Sequence, residues 1–468
     1  MSAEEYTDQW LDEHCGDMLN DLARLIAIPS QRGEASEGAP FGPGPAAALK
    51  EAVAICRELG LRPNVYGDCI ATADINEKVS GLDIICHLDV VGTGEGWDSD
   101  PYTMVIKDGC VFGRGTADDK GPAIASLYAL KAVAESGAPL RAGARVILGT
   151  NEESGMQDLP FFYDNPDVRP APCTISPDTH FPVVNVEKGH YLMSVSRSWG
   201  VTDALPRVVS ASSGDTFNVI PADAGAVVAG ISPGELQTLC APAADTLGVM
   251  ISCSEARNGA QISVKGVSSH AAYPDGSRNA LTALLGILSD LPLADCDSTD
   301  AIRRLSGIFP FGDSRGKVLG IAQEDDISGP LTLSFTILRL DESGVRCTLD
   351  GRVPICATED NCCRIAEERL GAAGFTVEGH IEPAHHTPAD SEFVQALLRC
   401  YEAVTGKEGF CQSMGGGTYV HNVEGGVAFG AAMPGYDTMM HSANEHMPIG
   451  DLLAAAKIYA RSILAICS

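Results

Sequence analysis

The chain has 468 residues, 45% of them apolar, which is too long for one ordinary core and implies at least two domains. Its 62 Asp and Glu outweigh 32 Lys and Arg, for a formal net charge of −30. That balance argues against a nucleic-acid partner and against an anionic membrane surface, both of which need clustered Lys and Arg; most of it reads as a solvated acidic surface.

The opening residues, Met-Ser-Ala-Glu-Glu-Tyr, carry no apolar run of the kind a secretory signal needs. Residues 5–28 have helical periodicity through Trp10, Leu11, Met18, Leu19, Leu22, Leu25 and Ile26 and predict one helix. A Pro/Gly loop ending in Phe41-Gly-Pro-Gly-Pro45 follows, then a helix over 46–60 closed by Gly60. From there to residue 188 short strands alternate with helices. Ile84-Ile85-Cys86 is a buried strand, 122–136 a helix with Pro122 in its first turn and Gly137 past its end, and 145–148 another strand. This alternation predicts an α/β layer on a mixed, largely parallel sheet with helices on both faces.

Residues 189–382 read differently. Alternating strands at 191–196, 261–265 and 331–336 surround helical stretches near 278–291 and 360–373, as in an α+β insert of two similar, ferredoxin-like halves. After 383 come helices at 391–405 and 450–466 with short strands. The expected organisation is a catalytic domain split into 1–188 and 383–468, with a lid domain inserted at 189–382. No apolar run reaches the roughly 18 residues of a membrane span. The sixteen cysteines are scattered without a Cys-x-x-Cys pair, as buried thiols in a reducing cytosol would be.

Five clusters carry chemistry: His87-Leu88-Asp89, Asp118-Asp119, Glu152-Glu153, Asp178 and His441. All but the last cap strand-like runs, where open α/β sheets place their sites. Carboxylates mixed with two imidazoles suit a pair of Zn²⁺, Mn²⁺ or Co²⁺ ions, and two such ions make a hydrolytic site. His87 and Asp89, two apart, point one way; His87 would bind a metal and Asp89 orient its imidazole. One Asp of the 118–119 pair can bridge two ions, although an Asp before a helix is also a common cap. Of Glu152 and Glu153, one would bind metal and the other move a proton.

In order, His-Leu-Asp, Gly-Arg-Gly-Thr-Ala-Asp-Asp-Lys-Gly-Pro (113–122), Asn-Glu-Glu-Ser-Gly (151–155), Ser-Pro-Asp (176–178) and His-Ser-Ala-Asn-Glu (441–445) resemble the motif set of the two-metal peptidase family of carboxypeptidase G, succinyl-diaminopimelate desuccinylase and carnosinase. Phe41-Gly-Pro-Gly-Pro45, Gly96-Trp97-Asp98 and Gly415-Gly416-Gly417-Thr418 are similar to the PepV-type dipeptidases within it. The resemblance implies one metal on His87 and Asp178, another on Glu153 and His441, and Asp118 bridging, preferred to Asp119. It implies Glu152 as general base, Asp89 as orienting carboxylate, and a hydroxide held between the ions as nucleophile.

From the insert, Gly-Val-Ser-Ser-His-Ala (266–271) implies that His270 stabilises the oxyanion, an effect of about 3 kcal/mol. Asn218, Arg352 and Gly415, Gly416, Gly417 and Thr418 are implied to bind substrate, Arg352 by gripping a carboxylate with its fork. In relatives a Tyr follows that Arg and another Arg follows the glycine segment; Val353 and Val420-His421 stand there instead. The expectation is a cytoplasmic, monomeric metallo-dipeptidase, with Zn²⁺ foremost among the three metals. The alternatives are a deacylase of N-acyl or N-succinyl amino acids and, more distantly, a non-catalytic peptide-binding relative.

Overall fold

The computed structural model describes residues 1–468. Two compact units divide the chain: Met1–Val186 with His385–Gln412 and Gly417–Ser468, and Glu187–Ala384 with Ser413–Gly416.

The first unit is built on a mixed sheet. Four neighbouring strands at its centre, in the order Gly143–Gly149, Ser80–His87, Cys173–Ser176 and Val427–Ala428, run parallel. Ile70–Asp74 and Arg62–Tyr66 extend it antiparallel on one side. The central strands are buried along nearly their whole length, as their continuous apolar runs require of a parallel sheet. The helices Lys120–Ser136 and Ile449–Cys467 pack on each other and on the Ser80–His87 strand. Lys120–Ser136 is buried almost all round and ends at Gly137, whose φ of 65° suits a left-handed C-cap. The parallel register sets His87 opposite Gly149 and Ile84 opposite Ile175, so the chain leaves three adjacent strands at one edge of the sheet.

The periodicity over 5–28 belongs to two helices, Ala3–Glu13 and Cys15–Ile26. The break is His14, with φ −104° and ψ 12°, its ring stacked on Trp10 at 3.9 Å and its Nδ1 2.8 Å from the Trp10 carbonyl. Both helices still present their apolar faces to the core, so the pattern was real and the continuity was not.

The second unit has one continuous antiparallel sheet, in the order Met250–Ala256, Gly259–Lys265, Asp223–Ala229, Arg207–Ser213, Thr332–Asp341, Gly344–Val353, Gly189–Ser198 and Thr376–Glu378. Helices Pro233–Leu247, Ala280–Asp290, Asp297–Ile308 and Arg364–Ala372 accompany it over a core of its own. All sixteen cysteines are free thiols. No helix is long and apolar enough to cross a membrane.

Candidate active site

In the first unit His87 ends a central strand, Glu152 and Glu153 begin a 3₁₀ turn just past the next, and Asp178 follows the third. Asp118 and Asp119 precede the helix Lys120–Ser136 and are joined by a cis peptide. His441 stands in a loop at φ 61°, the left-handed region a non-glycine residue seldom occupies. The structure brings the predicted ligands of this unit together. Asp118 Oδ1 lies 2.8 Å from His87 Nε2 and Asp118 Oδ2 lies 2.7 Å from His441 Nε2. His441 Nε2 is 3.2 Å from Glu153 Oε1, and His87 Nε2 is 3.7 Å from Asp178 Oδ2. Ligand atoms of His87, Asp118 and Glu153 lie within 4.8 Å of one another, as do those of His87, Glu152 and Asp178.

The donor set fits divalent cations. His87 Nδ1 sits 2.9 Å from the Asp89 carbonyl, so the proton belongs on Nδ1 and Nε2 turns its lone pair to the cluster. His87 Nε2 and Asp118 Oδ1 are buried and close, yet neither makes a hydrogen bond of proper geometry. Two buried acceptors turned toward each other suit a shared cation. Asp119 does not act as a helix cap through its side chain; its Oδ2 accepts the His87 N–H at 3.1 Å.

The electrostatics agree. Burial and the neighbouring Asp178 push the Glu152 carboxyl well above the usual range, and burial with Asp118 lifts Asp178 to about 7. Burial opposes the charge of His441, but Asp118 and Glu153 outweigh it and raise that imidazole to about 11. Acids raising one another's pKa mark a cluster that takes up positive charge.

Several supports had no local sequence signal. The hydrogen bond that orients His87 goes to the backbone carbonyl of Asp89, with the carboxylate farther off at 3.5 Å. The Asp89 carboxylate instead accepts the N–H groups of Glu152 and Glu153, each at 3.2 Å, and so holds the turn that presents both. Asp158 accepts from Thr150 N, Asn151 N and Tyr419 Oη at 2.6, 3.0 and 2.6 Å, fixing the approach to that turn. Lys120 turns away from the cluster and donates to the carbonyls of Leu25 and Ile28; burial pushes its pKa down to about 7. Thr418 is 1% exposed, and its side chain accepts the Val420 N–H at the start of the 3₁₀ helix Tyr419–Asn422.

The second unit gathers most of the remaining candidates. The strand pair Val219–Ile220 and Ser269–His270 sets Val219 opposite His270, and Ala271 N donates to the Asn218 carbonyl at 2.8 Å. His270 Nδ1 accepts from Ala272 N at 3.2 Å, which in the neutral ring leaves the proton on Nε2. The Asn218 side-chain oxygen is buried and unpartnered. Arg352 donates through Nε and Nη2 to Asp350 and through Nη1 to the Gly415 carbonyl. Its fork is therefore taken, contrary to the expectation of a free bidentate grip; Asp350, two residues away on the same strand face, occupies it.

A profile of Peptidase family M20/M25/M40 matches residues 84–465. Over 460 residues the chain is 32% identical to YtjP of Bacillus subtilis (strain 168), covering 96% of each. Over 454 residues it is 31% identical to the Beta-Ala-Xaa dipeptidase of Lactobacillus delbrueckii subsp. lactis, covering 95% of each. Human carnosine dipeptidase 1 has the same fold, with a TM-score of 0.59 at 15% identity over 100% of this chain and 99% of that one.

Proposed function

We propose the following reading from the fact that this chain belongs to Peptidase family M20/M25/M40: it is a metal-dependent dipeptidase that hydrolyses the peptide bond of dipeptides with a free N-terminus. The observation that carries it is the Asp118 carboxylate set between two imidazoles, with Glu152 beside the His87–Asp178 side. His87, Asp178 and Asp118 would hold one divalent ion, and Glu153, His441 and Asp118 the other, with Zn²⁺ foremost among Zn²⁺, Mn²⁺ and Co²⁺. Such ions supply Lewis acidity to the scissile carbonyl and lower the pKa of water.

The chain's own residues do the rest. Glu152 takes a proton from the attacking water and returns it to the leaving amine, a role worth about 10²–10⁴-fold. Asp89 keeps it in place through two backbone N–H groups. His270 donates from Nε2 to the oxyanion. Asn218 and the glycine segment receive the C-terminal carboxylate, and Arg352 acts chiefly by holding Gly415, since Asp350 occupies its fork. Thiols throughout the chain fit a reducing cytoplasm, and the long insert fits a monomer that supplies its own His270; sedimentation showing a stable dimer would overturn the latter.

The test is turnover of a free dipeptide set against N-acyl and N-succinyl amino acids at equal concentration. The proposal expects the dipeptide to be cleaved and the blocked amino acids to be poor substrates. The reverse preference would make the protein a deacylase using the same centre.

A further inference from the structure

Glu445 is 0% exposed, touches none of the proposed ions' ligands through their side chains, and has no part in the proton transfers above. Its carboxylate is nevertheless among the most heavily bonded groups in the first unit. Oε1 accepts the backbone N–H of Gly115, Ala117 and Asp118 at 3.1, 2.9 and 3.2 Å. Oε2 accepts Arg114 Nη1 at 2.6 Å and Gly115 N at 3.1 Å. The Glu445 carbonyl in turn accepts Gly113 N at 3.1 Å. One residue thus fixes 113–118 at five backbone or side-chain donors, four positions downstream of His441.

Arg114 is itself 1% exposed. It donates to the Gly92 carbonyl at 3.1 Å and lies over the Trp97 ring at 5.3 Å. Trp97 Nε1 donates to the Thr93 carbonyl at 2.7 Å, and Asp98 N donates to Asn444 Oδ1 at 2.9 Å. Residues 92–98, 113–118 and 444–445 are in this way tied into one knot, which gives the Gly96-Trp97-Asp98 segment a place. A buried ion pair adds little net stability over apolar residues of the same volume; what it can specify is conformation.

We propose that Glu445, held by Arg114, is a positioning residue of the metal centre: it fixes the backbone that carries Asp118 relative to the loop that carries His441, so that Asp118 presents one oxygen to each imidazole. This rests on the reading of His87, Asp118 and His441 as metal ligands. Groups that orient ligands typically alter metal affinity 10- to 100-fold when removed.

The test uses the full-length protein, stripped of metal, as wild type, Glu445→Gln and the double variant Arg114→Met/Glu445→Gln, which leaves no uncompensated buried charge. Zn²⁺ binding is read by equilibrium dialysis, the centre by the visible absorption of the Co²⁺-loaded protein, and folding by thermal unfolding of the metal-free form. The expected result is at least one folded variant with Zn²⁺ affinity 10- to 100-fold weaker and an altered Co²⁺ spectrum. Wild-type affinity and spectrum in the folded variants would overturn the proposal. So would failure of both variants to fold, which would make the pair a staple of the fold. A wild-type protein that binds no ion would overturn the metal reading beneath it.

Discussion

Arg352 gives its fork to Asp350: Nε reaches Oδ1 at 2.7 Å and Nη2 reaches Oδ2 at 2.8 Å. Asp350 is 0% exposed and also lies 3.2 Å from His190 Nε2. Burial works against its charge, but His190 and Arg352 outweigh burial and hold its pKa below the usual carboxylate range. A depressed carboxylate stabilises the fold above its unfolded pKa, about 3.9, and that contribution is lost as pH falls through the lower folded value. Asp350→Asn should therefore cost about 3 kcal/mol at neutral pH by leaving Arg352 unpaired. The gap from wild type in denaturant unfolding should narrow as pH falls below about 4.

Gly415 and Gly416 should respond differently to a methyl group. A Cβ on Gly415 would stand 2.7 Å from Ala272 Cβ, whereas one on Gly416 would meet nothing nearer than the flexible Met414 Cε at 3.8 Å. Gly415→Ala should displace the loop next to His270 and raise KM several-fold, with Gly416→Ala close to wild type in stability. Steady-state kinetics and thermal unfolding of both variants check the contrast.

Asp118→Ala should lose both ions, because its two oxygens face different imidazoles, while His441→Ala should lose one. Metal content after dialysis against Zn²⁺ measures this. Asp119→Asn, whose carboxylate accepts the His87 backbone N–H, should keep two ions with reduced affinity.

Asp89→Ala should lower kcat more than it raises KM. It leaves the N–H groups of Glu152 and Glu153 without their acceptor and frees the turn that presents the base. A loss of 10- to 100-fold in activity is expected for an orienting group of this kind, at a stability cost of about 1–3 kcal/mol. Comparing kcat, KM and the unfolding midpoint separates the two effects.

The candidate ligands His87, Glu153 and Asp178 were legible because each stands at or soon after the end of a buried strand, and parallel strands carry such positions to one edge, whereas Asp118 precedes a helix and His441 stands in a loop, so only the family motifs pointed to them. What could not be read locally were bonds between distant residues. Asp89 holds a turn 63 residues on, and Arg114 pairs with Glu445 331 residues on. The Asp350–Arg352 pair is different: residues two apart on a strand share a face, so the acid beside the expected carboxylate grip is legible in the sequence. The helix Pro233–Leu247 announces itself with Ser232 as N-cap and Pro233 at its first position, but Pro242 inside it argues the other way. His14 breaks the first helix by its own backbone angles, which no propensity of histidine foretells.

The most direct test of the account is hydrolysis of a free dipeptide by metal-stripped protein titrated with Zn²⁺, wild type and Glu152→Gln side by side. The account predicts no turnover without metal, a rise to a plateau at about two ions per chain, and the same metal uptake by Glu152→Gln with turnover about 10²–10⁴-fold lower. Full turnover by the metal-free chain, or by Glu152→Gln, would contradict it.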